Sequence, residues 1–125
     1  MLANDIMTKD VAKASDHTSI ELGEALTTAM HVRHLPIVND NDELVGVVSV
    51  RDLLAHFAHN GKDQRVLLRE IMTDHPIAAA PSTPVKEIIS LLLQHEICCV
   101  PILDGGKLVG IVTERDIVGF AACRV

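Results

Sequence analysis

Apolar residues recur along this chain with two periods. Val85, Ile88, Ile89 and Leu92 fall at i, i+3, i+4 and i+7, which marks one face of a helix. Pro84 suits the first turn of that helix. Ile20, Leu22, Ala25, Leu26, Ala29 and Met30 predict a corresponding helix earlier in the chain, slightly weakened by Gly23. Residues 35–38 and 44–50 are apolar runs rich in β-branched side chains around a polar turn, the pattern of a hairpin. Short apolar stretches at 11–14 and 77–80 predict strands, each followed by a turn-rich segment (Ser15-Asp16-His17 and Pro81-Ser82-Thr83). Further helices start near Arg51-Asp52 and Arg115-Asp116. The predicted order is strand, helix, strand, strand, helix, and it occurs twice.

The duplication is visible in the residues themselves. Asp5-Ile6-Met7-Thr8 returns as Glu70-Ile71-Met72-Thr73, and Leu35-Pro36-Ile37-Val38 as Val100-Pro101-Ile102-Leu103, both at an offset of 65. Residues 44–53, LVGVVSVRDL, return as LVGIVTERDI at 108–117, an offset of 64. The slip falls in a turn, where Asn39-Asp40-Asn41-Asp42-Glu43 is replaced by the shorter Asp104-Gly105-Gly106-Lys107. We therefore divide the chain into repeat 1 at 1–60, a linker at 61–68 marked by Asn60-Gly61-Lys62-Asp63, and repeat 2 at 69–125. One such unit is marginal alone. Two copies related by a pseudo-two-fold axis can pack their sheets together and form two equivalent clefts. The expected fold class is α+β.

The recurring block Gly46-Val47-Val48-Ser49-Val50-Arg51-Asp52 and Gly110-Ile111-Val112-Thr113-Glu114-Arg115-Asp116 carries the candidate chemistry. A buried strand ends in a hydroxyl, and a carboxylate stands three residues on, at a helix start. A carboxylate accepts two hydrogen bonds side by side, which suits the vicinal hydroxyls of a ribose. Free N–H groups at a helix start favour phosphate. The same spacing is also a capping box, with Ser49 or Thr113 as N-cap. The two readings are compatible, and spacing does not separate them.

Charge and composition narrow the partners. Eleven Lys and Arg against 17 Asp and Glu give −6 with His neutral, and no two basic residues are adjacent. Such a chain repels a phosphate backbone. With two Phe and no Tyr or Trp it also lacks the aromatic platforms of single-strand readers, so no nucleic acid is expected. Cys98, Cys99 and Cys123 form neither a disulfide framework nor a zinc pattern, which fits a reducing cytosol. No signal peptide is read at the N-terminus, and no apolar run approaches the ~18 residues of a membrane span. The expectation is a cytoplasmic protein off the membrane. Asn39-Asp40-Asn41-Asp42 lacks the Gly and closing Glu of a calcium loop and reads as a turn. His56 and His59 read as helix-surface residues, and Cys98-Cys99 as strand packing, so no metal site is assigned. No nucleophile–base arrangement recurs between the copies, and no catalytic residue is assigned.

The duplicated Ile-Met-Thr start, the hydrophobic-Pro dipeptide and the Gly-h-h-[Ser/Thr]-x-x-Asp block (h, hydrophobic) resemble the cystathionine-β-synthase (CBS) domain family in its tandem-pair form, over roughly residues 5–60 and 69–123. The resemblance implies two β-α-β-β-α repeats packed through their sheets, frequent homodimerisation, and regulatory binding of AMP, ADP, ATP or a related adenosyl ligand, with no catalytic cofactor. It implies an energy-sensing module acting on a separate effector protein. The alternative is a structural dimerisation module with no bound ligand. By the same resemblance one site uses Asp116, Thr113 and Ile111 with Thr8, Ala12, Val32, Arg33 and His34. The other uses Asp52, Ser49 and Val47 with Thr73, Ile77, Ile97, Cys98 and Cys99, while Arg51 and Arg115 contact phosphate. An Arg fork pairs with phosphate oxygens where two thiols do not. The Asp116 site is therefore expected to bind phosphorylated ligand more tightly, by ~1–2 kcal/mol.

Overall fold

The computed structural model describes residues 1–61 and 65–122. Lys62 and Asp63 of the expected linker, and Cys123, lie outside the described residues. The chain forms two compact units, one from Met1–Val11 with the described part of Ile77–Val125, the other from the described part of Ala12–Pro76. We call them the terminal and the central unit, after their places in the sequence. Compact units and sequence repeats are thus cut at different points, because each Ile-Met-Thr segment packs on the strand block of the opposite copy.

The central unit is a four-stranded sheet in the order β1-β2-β3-β4 with two helices. Strands β2 (His34–Val38) and β3 (Leu44–Ser49) form the expected hairpin. Strand β1 (Ala14–Ser15) runs parallel to β2, and β4 (Thr73–Asp74) pairs antiparallel with β3. The strand expected at 11–14 is corrected here: only Ala14 and Ser15 lie alongside Ile37 and Val38, while the Val11 N–H turns back to the Lys9 carbonyl. Helix α2 (Ile20–Met30) is capped by Ser19, whose hydroxyl accepts from the Leu22 N–H at 3.2 Å. Its buried stripe is Ile20, Gly23 and Thr27, not the face expected from Leu22 and Met30, which are exposed. At about 100° per residue Leu22 points roughly opposite Ile20, so the two cannot share one face. Helix α3 (Val50–Asn60) follows β3 directly.

A short 3-10 turn, Leu68–Glu70, precedes β4. The Leu68 N–H donates to Thr18 O at 2.7 Å, and Val66 O accepts from Ile20 N, so this segment is pinned to the start of α2. Leu68 is fully buried in the cluster of Ala14, Ile20, Leu35, Ile37, Val48 and Leu53.

The terminal unit repeats this plan with less regular edges. Helix α1 is Ala3–Ile6, helix α4 is Val85–His95, strands β5 (Cys99–Asp104) and β6 (Lys107–Thr113) form the hairpin, and helix α5 is Glu114–Ala122. The strand expected at 77–80 is likewise corrected to a single parallel bridge, Ala79 to Ile102. Thr8 bridges antiparallel to Ile111, as Thr73 pairs with Val47 in the central unit. Helix α4 buries Val85, Ile88 and Leu92, as its periodicity predicts. Pro84 sits at the N-cap, one residue before the helix. Ala3, Ile88, Leu92, Val100, Ile102 and Val112 make the core. No helix among the described residues is long and apolar enough to cross a membrane.

Candidate functional site

Strand β6 ends at Thr113 and α5 begins at Glu114, so the Asp116 carboxylate folds back over the end of the strand. Its Oδ2 accepts from the Thr113 N–H at 2.8 Å and from the Thr113 hydroxyl at 3.1 Å. Its Oδ1 accepts from the Thr8 hydroxyl at 3.1 Å, a contact between residues 108 apart in sequence. Thr8 is held there because it exchanges both backbone hydrogen bonds with Ile111, at 2.9 and 3.0 Å. Four of the predicted site residues, Thr8, Ile111, Thr113 and Asp116, are therefore brought together within the terminal unit.

The central unit places Val47, Ser49, Asp52 and Thr73 on the same plan, with Thr73 held by its backbone pairing with Val47. Asp52 Oδ2 accepts from the Ser49 N–H at 2.9 Å, and Ser49 Oγ accepts from the Asp52 N–H at 3.0 Å. This is a complete capping box. The capping reading of the motif is realised in both units, and Asp116 closes its box more loosely, its N–H reaching Thr113 Oγ1 at 3.4 Å.

Gly46 and Gly110 explain why the block opens on glycine. A Cβ at Gly110 would stand 2.5 Å from Met7 Sδ and 3.1 Å from Thr8 O. A Cβ at Gly46 would collide with Met72 Sδ and stand 3.0 Å from Thr73 O. The Ile-Met-Thr segment lies flat on the strand only where no side chain intervenes.

The other predicted residues are placed within their own units. Ala12, Val32, Arg33 and His34 belong to the central unit, where Val32 follows the end of α2 and His34 pairs with Ser49. The Arg33 carbonyl accepts from the Val50 N–H at 2.9 Å. Ile77, Ile97, Cys98 and Cys99 belong to the terminal unit, where Cys99 pairs with Thr113 and the Cys98 carbonyl accepts from the Glu114 N–H at 3.2 Å. Arg33, Arg51, Arg115 and Cys98 are exposed.

Cys99 is buried, and that burial, with Cys98 beside it as the smaller cause, pushes its thiol up from 9.0 to about 12. The folded state keeps a proton that the unfolded chain releases. The stability held below pH 9.0 is therefore lost as pH rises toward 12, by roughly 1 kcal/mol per pH unit. Urea midpoints at pH 8 and pH 10 should differ in the native chain by more than in Cys99→Val. Equal differences would contradict the burial.

Sequence reading missed one cluster. Asp16 Oδ1 and Asp40 Oδ2 lie 3.5 and 3.7 Å from His17 Nε2. The turn that delivers Asp40 is the expected hairpin turn, with Asn39 Oδ1 accepting from the Asn41 and Glu43 N–H groups. Only the pairing of β1 with β2 brings it beside His17, and no local spacing signals that.

Comparison with known proteins identifies the family. The family model for the CBS domain matches residues 3–59 and 68–122. The chain is 32% identical over 117 residues to the L-aspartate semialdehyde sulfurtransferase of Methanocaldococcus jannaschii, covering 93% of this chain and 22% of that enzyme. It is 29% identical over 113 residues to the CBS domain-containing protein YhcV of Bacillus subtilis, covering 90% of this chain and 80% of that protein. The chain thus spans less than a quarter of the enzyme relative and most of the small one.

Among solved structures, the CBS domain pair of protein MJ0100, in complex with 5′-methylthioadenosine and S-adenosyl-L-methionine, superposes with a TM-score of 0.92 at 30% identity, covering 100% of this chain and 98% of that one. CBSX2 in complex with AMP gives 0.87 at 31%, covering 98% and 97%. With both repeats matched and both carboxylate turns formed, the chain belongs to the CBS domain family and carries two copies of that domain.

Proposed function

We propose that this chain is a regulatory module that binds an adenosyl ligand (AMP, ADP, ATP, or a methylthioadenosine-type nucleoside) through Asp116 and Asp52. It is not an enzyme. It acts as a homodimer in the cytoplasm on a separate effector protein. The observation that carries this reading is the repeated turn in which a strand-end hydroxyl and a helix-start carboxylate stand together, once in each unit. Such a carboxylate takes a vicinal diol. The adenosyl ligands bound by the CBS domain pair of protein MJ0100 and by CBSX2 all carry a ribose. Ala12, Val32, Arg33, His34, Ile77, Ile97, Cys98 and Cys99 serve the base and phosphate side of the ligands, with Arg51 and Arg115 as phosphate contacts. The catalytic activity of the sulfurtransferase relative is not carried over, because the match spans only 22% of that enzyme.

A structural dimerisation module is the second reading. Asp116 supports it, since its hydrogen bonds are already largely satisfied within the unit.

Thermal denaturation with AMP, ADP, ATP, S-adenosylmethionine and 5′-methylthioadenosine separates the two. A ligand that binds only the folded state raises Tm with its concentration. Asp52→Asn and Asp116→Asn should each weaken binding at their own site by about tenfold or more, the scale of a lost hydrogen bond to charge. A Tm unmoved by every one of these ligands would favour the structural module.

A further inference from the structure

The two carboxylate turns share their residue types but not their hydrogen bonding. An ionised carboxylate offers about four acceptor positions, two on each oxygen. Asp116 has three of them occupied, by the Thr8 hydroxyl, the Thr113 N–H and the Thr113 hydroxyl. Among the described residues Asp52 has one occupied, by the Ser49 N–H. Neither Ser49 Oγ nor Thr73 donates to the Asp52 carboxylate: Ser49 Oγ accepts from the Asp52 N–H, and Thr73 serves through its backbone pairing with Val47.

A ribose diol needs two acceptor positions. Asp52 can supply them as it stands, whereas Asp116 has one left. For the diol to bind there, one resident donor must leave. The Thr113 N–H is fixed by the backbone, and the Thr113 hydroxyl lies on the same oxygen within the cap. The Thr8 hydroxyl is the replaceable one: it reaches across from an edge segment, alone on Oδ1, and Thr8 is exposed.

We infer that the Thr8 hydroxyl is a built-in competitor for the sugar, holding the acceptor that one ribose hydroxyl requires and so making the Asp116 site the weaker of the two toward the nucleoside part of a ligand. This rests on the adenosyl-binding reading above. It opposes the ranking that Arg33 and Cys98 imply for phosphorylated ligands, so the decisive probe carries no phosphate.

The test is calorimetric titration of the full chain with 5′-methylthioadenosine. Asp52→Asn silences the other carboxylate and leaves the Asp116 site to be read. In that background Thr8→Val, which keeps a β-branched side chain for the pairing with Ile111, should tighten binding about tenfold. That is the lower end of the worth of a hydrogen bond to a charged group. Thr8→Ser, which restores the hydroxyl, should lose the gain, and Thr73→Val in an Asp116→Asn background should give no tightening.

Binding that is unchanged or weakened by Thr8→Val overturns the competitor while leaving the adenosyl reading intact. No binding of this nucleoside or of AMP by the native chain or by any variant overturns both.

Discussion

Leu68→Ala should lower the stability of the central unit by about 3 kcal/mol, within the range of about 2–5 kcal/mol for a fully buried leucine. Leu68 has no exposed surface and lies in the core cluster beside Gly23 of α2. A Cβ placed at Gly23 would meet Leu68 Cδ2 at 2.6 Å, so that glycine makes room for the leucine. The companion positions at the 65-residue offset are Ala3 and Ile88, both fully buried in the other core. Large and small have exchanged places between the copies, and the two pairs differ by a single side-chain carbon.

The double variant Gly23→Ala/Leu68→Ala should therefore recover about 1 kcal/mol, by refilling part of the cavity and restoring helix propensity. Urea unfolding reads both values. A loss below about 1 kcal/mol for Leu68→Ala, or no recovery in the double variant, would contradict this packing.

Gly110→Ala and Gly46→Ala should each cost about 2 kcal/mol, because the added carbon is forced against Met7 and Thr8, or against Met72 and Thr73. The methionine sulfur can swing away, but the backbone carbonyls at 3.1 and 3.0 Å cannot move without breaking the Thr8–Ile111 and Thr73–Val47 pairings. Gly119→Ala, in α5, has the opposite expected sign. Nothing lies within 4 Å of its added carbon, and the helix should gain up to about 1 kcal/mol. Denaturation midpoints of the three variants check the contrast. A Gly110→Ala protein as stable as the native chain would contradict the flat seating of the Ile-Met-Thr segment.

Local pattern carried much of this molecule. The spacing of Val85, Ile88 and Leu92 is the buried face of α4, and both hairpins formed where β-branched runs flank a turn. The Ser49–Asp52 and Thr113–Asp116 turns were legible because a cap is local.

The hidden features are those set by distant partners. Nothing near Thr8 in sequence indicates that it reaches Asp116, and nothing near Leu68 explains Gly23. The short β1 also escaped. The stretch at 11–14 is apolar apart from Lys13, yet only its last residue meets Ile37. Residue types cannot tell Thr8 from Thr73, although one donates to a carboxylate and the other does not.

The most direct test of the account is a paired isotherm with an adenosyl ligand and its 2′-deoxy counterpart. A carboxylate gripping a vicinal diol predicts that the ribose form binds at least about tenfold tighter, and that Asp52→Asn with Asp116→Asn removes the preference. Equal affinity for the two sugars, or a preference that survives loss of both carboxylates, would contradict it.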